Sequence, residues 1–153
     1  MGQQQLLLLV LATVIVGLAT VAGIQAFSEN QQKAEQDALV QRAINIGNDV
    51  FAAHNEPTQF GGIDLINNTP SASDIAEAAG YGESADDSGD GISADGAGDG
   101  AECDIAYASD TATVTCTSDG SGSYTSGSNQ LVQVTVDPTA DSEVDATTIN
   151  ETL

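Results

Sequence analysis

The sequence predicts an α+β protein, in which a long N-terminal α-helix packs against a small antiparallel β-sheet head with one disulfide. Three observations lead to this fold class. An apolar run near the N-terminus continues into a stretch of good helix formers that contains no proline. Strict alternation of apolar and polar residues begins only late in the chain, and both cysteines lie where it begins.

The first part of the predicted helix, residues 3–27, is apolar on all sides. As a helix, Leu6 to Phe27 would be about 33 Å long, which is enough to cross the hydrocarbon core of a bilayer. A secretory signal peptide has a basic leader and an apolar core of about 7–15 residues. This run is longer and follows no Lys or Arg. We therefore expect it to be a retained membrane or filament-core segment.

Residues 28–54 continue the helix as an amphipathic segment, and Pro57 together with Gly61–Gly62 ends it. Two apolar stripes are present, so this segment can bury more than one side. One stripe consists of Leu39, Ala43, Ile46 and Val50. The looser one includes Ala34, Ala38, Val40, Ile44 and Phe51.

The remaining residues, 55–153, form the predicted acidic head. A short helix is expected after Ser71, because Ser71 and Asp74 have the spacing of a capping box. Residues 82–100 are rich in Asp, Gly, Ser and Ala without core-forming periodicity, and they predict an exposed loop.

A hairpin with a turn at Ser109–Asp110 sorts the following residues into an apolar and a polar face. In this register Cys103 faces Cys116, and Ile105 faces Val114. Two buried free thiols are the alternative, but the aligned register favours a Cys103–Cys116 disulfide. A disulfide would place the head in an oxidising space outside the cytoplasm.

Two further strands complete the predicted sheet. One carries Val132, Val134 and Val136 on one face and stops at Pro138, and the segment EVDATTI supplies a final edge strand. The sheet has too few large apolar residues for a deep core of its own. Laying its apolar face on the amphipathic helix would bury both surfaces.

The chain of 153 residues carries 23 acidic residues against two basic ones, a net charge of −21. Such a surface repels phosphates, so nucleic acid is disfavoured as a partner. Disorder, calcium binding and life in very high salt are three possible causes. The scarcity of Lys, with abundant Asp, Ala, Gly and Thr, is typical of extreme halophiles and favours the third cause.

Candidate binding and catalytic sites are few. Asp86, Ser88, Asp90 and Gly91 match the front half of a calcium loop, but Ala97 occupies the position of the bidentate acid, which favours a solvated acidic loop. Sequons at Asn67 and Asn150 support no claim, because a chain of this composition contains one or two by chance. No Ser-His-Asp grouping can be argued, and His54 fits a helix end better than a ligand. We expect no enzyme activity, metal or cofactor.

An apolar N-terminal helix that becomes amphipathic, then a loop, then a small sheet with a late cysteine pair resembles the type IV pilins and their pseudopilin relatives. In that family the precursor is cut after a Gly before the apolar helix, and Gly2-Gln3 fits this position. The leader would be only Met1-Gly2, without basic residues, and Leu7 stands where many bacterial pilins have Glu.

The resemblance implies a helical homopolymer on the cell surface, with the helices bundled in its core and the acidic heads outside. It also implies passage through the cytoplasmic membrane, an inner-membrane assembly machinery, a prepilin peptidase-like protease and a role in attachment. A membrane-anchored surface protein, or a minor pseudopilin of a secretion machine, is the alternative.

The residues of the helix support a bundle independently, because small side chains let helix backbones approach closely. Ala19 and Gly23 form one small-xxx-small pair, and Ala22 and Ala26 form another. A lone membrane anchor is the alternative. The candidate filament-core packing residues are Leu6, Leu9, Ala12, Val16, Ala19, Ala22, Gly23 and Ala26.

Overall fold

The computed structural model describes residues 2–82, 91–122, 130–141 and 143–148. Two compact units are present, Met1–Lys33 and Ala34–Leu153, and each is described by itself. The elements, in chain order, are helix α1 (Gly2–Asn55), a 3₁₀ turn (Thr58–Phe60), helix α2 (Ala72–Ala78), and strands β1 (Ile92–Ser93), β2 (Glu102–Ala108), β3 (Thr111–Thr117), β4 (Leu131–Val136) and β5 (Val144–Thr148). The predicted α+β class is confirmed.

The five strands form one antiparallel sheet in the order β1-β2-β3-β4-β5. The β2–β3 turn consists of Ser109 and Asp110, whose φ angles of 53° and 66° are those of a two-residue hairpin loop that matches the twist of the strands. Cys103 pairs with Cys116 and Ile105 with Val114, as predicted. The predicted disulfide is formed, with the two Cα atoms 3.9 Å apart.

The core of the second unit lies between residues 34–55 of α1 and the apolar face of the sheet. Of the two stripes that the sequence offers, the first supplies the buried side chains. The looser stripe lies half-buried at the margin of the core, through Ala38, Val40, Ile44 and Phe51. Facing residues from the sheet include Ile105, Val114, Val132, Val134 and Val136, all fully buried. The helix and the sheet therefore bury each other's apolar surface, which neither could bury alone.

The segment between α1 and the sheet is held by specific polar contacts. Ser71 caps α2: its Oγ accepts from the Asp74 N–H at 3.2 Å, and the Asp74 carboxylate accepts from the Ser71 N–H at 2.9 Å. This is the predicted capping box. Tyr107 of β2 reaches the same segment, and its hydroxyl oxygen lies 2.8 Å from Leu65 O and 2.9 Å from Asn68 O. Its single proton is donated to one of these carbonyls at a time.

The described part of the loop at 82–100 differs from the exposed loop that the sequence predicts. Ile92 pairs with Cys103 at the edge of the sheet, so β1 extends the sheet by one short strand. Ile92, Ala94 and Ala97 are buried. Small apolar side chains need little space and no periodicity to fill gaps beside a sheet edge, which is why a periodicity argument misses them.

Candidate assembly surface on the apolar helix

The apolar segment of α1 is exposed to solvent in the chain by itself. Every described residue from Gly2 to Lys33 is exposed, and Leu6, Leu9 and Phe27 have 65–67% of their surface accessible. The helix is long and apolar enough to cross a membrane, and none of its most apolar window is buried, in contrast to the core helix of a soluble protein. Signal sequences share this length and composition. The segment therefore needs a covering that the described part of its own chain does not supply.

The predicted filament-core residues do not all lie on one face of this helix. At about 100° per residue, the five small residues fall within an arc of roughly 100°. Leu9 and Val16 flank this arc, and Leu6 lies nearly opposite to it. We call the arc the small-residue face; it consists of Ala12, Ala19, Ala22, Gly23 and Ala26.

The glycines of the apolar segment have no structural reason within the described chain. A Cβ atom at Gly17 or Gly23 would meet no atom within 4 Å. Glycine in a helix interior costs roughly 1 kcal/mol of helix stability relative to alanine. No close contact within the described chain accounts for this cost at Gly17 or Gly23. Gly47 is different, because a Cβ there would lie 2.8 Å from the Cγ1 atom of Val134. Close approach of another helix is one use of glycine at a position such as Gly23.

The two threonines of the apolar segment are compatible with burial. The Thr13 hydroxyl donates to Val10 O at 2.9 Å, and the Thr20 hydroxyl reaches Val16 O at 2.7 Å. An unpaired hydroxyl moved into an apolar environment costs several kcal/mol, whereas these two keep their hydrogen bonds inside the helix. The segment can therefore enter lipid or a helix bundle without losing these contacts.

Charge is separated along the chain. Glu29 and Lys33 are the charged side chains of residues 1–33 and cancel each other, so the whole net charge of −21 belongs to residues 34–153. A neutral, apolar, exposed helix thus precedes a strongly acidic head. Exposed apolar surface favours association, and the head resists non-specific aggregation through its charge.

A polar cluster that sequence reasoning missed ties the head to α1. The Tyr81 hydroxyl donates to the Asp49 carboxylate, and the Arg42 guanidinium lies 5.5 Å from the centre of the Tyr81 ring. Arg42 Nε also donates to Ser93 O at 3.1 Å. Burial, then the hydrogen bond to Asp49, raises the pKa of Tyr81 to about 12. In the sequence, only the scarcity of basic residues could have indicated that Arg42 has a structural role.

The other sequence-predicted positions are not brought together into a site. Gly2 and Gln3 lie exposed at the start of α1, where the processing prediction stays a prediction. Asn67 is exposed in a turn and donates to Asp64, whose pKa is lowered by hydrogen bonds from the backbone and side chain of Asn67. His54 lies in the last turn of α1, with Nδ1 3.2 Å from Ile63 O.

The candidate calcium loop is only partly within the described chain. Asp86, Ser88 and Asp90, and also the sequon at Asn150, lie outside the described residues. Ala97, at the position of the missing bidentate acid, is buried. Among the residues that the structure describes, no group of three or more His, Cys, Asp or Glu side chains could hold a metal ion.

No protein-family model matches this chain, and no match is found among curated proteins or among solved structures. The likeness to pilins therefore remains one of sequence pattern and architecture, and the functional conclusion depends on the physical properties of the helix and the head.

Proposed function

We propose that this chain is a structural subunit that polymerises through its apolar N-terminal helix into an extracellular, pilus-like filament, which serves attachment or surface interaction. The observation that carries the proposal is the complete exposure of the apolar segment in a chain whose head buries its own core. The subunit acts by assembling: the helices form a continuous apolar core, and the acidic heads form the solvated outer surface.

Burial of this segment supplies free energy for assembly relative to a helix exposed to water. Each Leu, Val or Ile side chain removed from water contributes about 1.5–3 kcal/mol, so ten of them contribute roughly 15–30 kcal/mol. The loss of translational and rotational freedom on association costs about 4–15 kcal/mol. Relative to a helix exposed to water, this burial matches or exceeds that cost. Relative to a subunit held in lipid, assembly depends on helix packing instead.

The small-residue face favours copies of the same helix over lipid as the final covering. Lipid chains cover large and small side chains equally well, whereas helix pairs gain contact when small residues let the backbones approach. Gly23, which no contact inside the described chain explains, lies on this face. Before assembly, the same segment would hold the subunit in the cytoplasmic membrane, where the processing protease and the assembly machinery act.

A second candidate is a membrane-anchored surface protein or a minor pseudopilin of a secretion machine. The length and apolar composition of α1 support it equally, since one such helix is sufficient to anchor a chain. The acidic head fits either role in very high salt, where the Debye length falls to about 3 Å at 1 M.

Negative-stain microscopy of a sheared surface fraction separates the two candidates. Filaments whose major band is this chain, identified by mass spectrometry, would support the structural subunit. Recovery of the chain only in detergent extracts of membranes, with filaments made of another protein, would contradict it. A strain that lacks the gene serves as the control for filament identity.

A further inference from the structure

The small-residue face of α1 continues directly into a pair of opposite charges. Glu29 and Lys33 are one helical turn apart, and both are exposed. At 3–4 residue spacing they follow Ala22 and Ala26 on the same side of the helix. Among the residues that the structure describes, neither side chain has a partner within its own subunit.

Among the residues that the structure describes, Lys33 is the basic side chain with no partner in its own subunit. The second basic residue, Arg42, is engaged inside its own subunit by Ser93 O and by the ring of Tyr81. Every other charged side chain is acidic. In an assembly of identical copies, Lys33 is therefore the foremost candidate for an attractive ion pair between subunits.

We propose that Lys33 of one subunit pairs with Glu29 of the next, and that this pair fixes the axial offset between adjacent helices at about one turn. The occupant of this charged face is thus a second copy of the same chain. The proposal rests on the proposed filament function and specifies how the helices are aligned within it.

The geometry distinguishes the possible alignments of two parallel helices. With no axial offset, Glu29 faces Glu29 and Lys33 faces Lys33, so both contacts are repulsive. With an offset of four residues, about 6 Å, Lys33 of one helix lies beside Glu29 of its neighbour. Each subunit in a polymer can then make the pair twice, once through Lys33 and once through Glu29.

Charge complementarity is suited to this task because the apolar segment cannot perform it alone. A helix that is apolar on all sides loses little contact when it slides by one turn against another. An exposed ion pair contributes little affinity, but it discriminates between alignments, as charged positions do in coiled coils.

Four single variants of the full chain test the pair. Glu29→Gln and Lys33→Gln each remove one partner. Gln32→Glu changes the net charge exactly as Lys33→Gln does, at an adjacent exposed position off this face, and Asp141→Asn matches Glu29→Gln at an exposed site of the head. The measurement is the critical concentration for filament formation, at the salt concentration where the wild type assembles.

We expect Glu29→Gln and Lys33→Gln each to raise the critical concentration by roughly twofold to fivefold, with the controls unchanged or shifted only as their net charge predicts. Glu29→Gln is the more decisive variant. It reduces the net negative charge, so general repulsion predicts easier assembly, whereas a specific pair predicts harder assembly. The exchange Glu29→Lys/Lys33→Glu keeps the net charge and the pairing geometry, and it should restore assembly.

Two further measurements test whether Glu29 and Lys33 act instead by stabilising their own helix or by binding anionic lipid. Far-UV circular dichroism of the detergent-held subunit should be the same for all variants, since the proposed pair acts between copies. Equal assembly of Lys33→Gln and Gln32→Glu would overturn the proposal. So would variants that lose only their preference for phosphatidylglycerol vesicles over phosphatidylcholine vesicles. If the wild type forms no filament at any salt concentration, the proposed function itself fails.

Discussion

Gly47 of α1 lies so close to Val134 of β4 that a Cβ atom at Gly47 would be 2.8 Å from Cγ1 of Val134. Cγ1 of Val144 and Cγ2 of Val136 would be 3.3 Å and 3.6 Å away. The helix therefore rests on a floor of valines from two strands, and the missing side chain sets the distance between the two layers. Close approach of backbone to neighbouring atoms is one of the uses of glycine.

Replacement of Gly47 by alanine should destabilise the head, although alanine is the better helix former. The gain in helix propensity is about 1 kcal/mol, while overpacking of a close-packed core costs about 1–3 kcal/mol. We expect a net loss of up to about 2 kcal/mol in the free energy of unfolding, measured by urea titration in detergent.

Asn48→Ala is the matched control, because Asn48 is the next residue and is exposed. It should leave stability unchanged or slightly higher. In combination with Val134→Ala, which itself leaves a cavity, the total loss should be smaller than the sum of the two single losses, since Val134→Ala removes the methyl group that the new Cβ meets. A Gly47→Ala variant as stable as Asn48→Ala would contradict the packing argument.

The Cys103–Cys116 disulfide should contribute much of the stability of the head. The two residues are 13 positions apart, and a loop of this size restricts the unfolded chain by about 3 kcal/mol. We expect Cys103→Ala/Cys116→Ala to lose about 2–4 kcal/mol in the free energy of unfolding.

Reduction of the wild-type protein should produce the same loss, and it should have no effect on the double variant. The covalent state is checked by alkylation under denaturing conditions without reductant, followed by mass spectrometry. Labelling of both cysteines in the wild type would show that the bond is absent from the purified protein.

The raised pKa of Tyr81 predicts that the head loses stability at alkaline pH. Its pKa rises from 10.0 to about 12 in the folded head, mainly through burial and then through the hydrogen bond to Asp49. A pKa that is higher in the folded state gives a stabilisation that is complete below pH 10. This stabilisation is lost as the pH rises from 10 through 12, because the unfolded chain gives up its proton first.

The measurement is the difference in free energy of unfolding between the wild type and Tyr81→Phe from pH 8 to 12, in which the titration of other groups cancels. The difference should shrink above pH 10. Asp49→Asn should lower the pKa of Tyr81 only in part, since burial remains the largest cause. A constant difference across this range would show that Tyr81 titrates alike in both states.

The hairpin, the capping box and the long helix could be predicted because each depends on residues close in sequence. One choice of turn aligned both cysteines and every apolar pair, so the β2–β3 register left little freedom. Ser71 and Asp74 satisfy each other within four residues. Local constraints of this kind can be identified from spacing alone.

The features that escaped prediction depend on contacts between distant segments. The sequence offers two apolar stripes on α1, and packing against the sheet selects the one that includes Ile46. Ala94 and Ala97 are buried because β1 joins the sheet edge, which no periodicity in an Asp/Gly-rich segment reveals. The contact of Arg42 with Tyr81 likewise joins residues from separate elements.

Bulky side chains on the small-residue face should prevent assembly without preventing membrane insertion. Ala22→Leu/Gly23→Leu adds volume where neighbouring helices would approach most closely, and it keeps the segment apolar. We expect filament yield to fall by at least roughly tenfold, equivalent to about 1.4 kcal/mol per subunit. The amount of the chain in the membrane fraction should stay unchanged, because leucine favours insertion.

Thr13→Leu/Thr20→Leu is the control for position, since it places two leucines about 120° away from the centre of the small-residue face, although it adds less bulk. It removes two hydroxyl groups whose hydrogen bonds lie within the helix, so membrane insertion should again be preserved. If both double variants lose filaments equally, the helix is packed on all sides and the face has no special role. If neither loses them, the small-residue face is not a packing contact of the filament, and that part of the proposal is wrong.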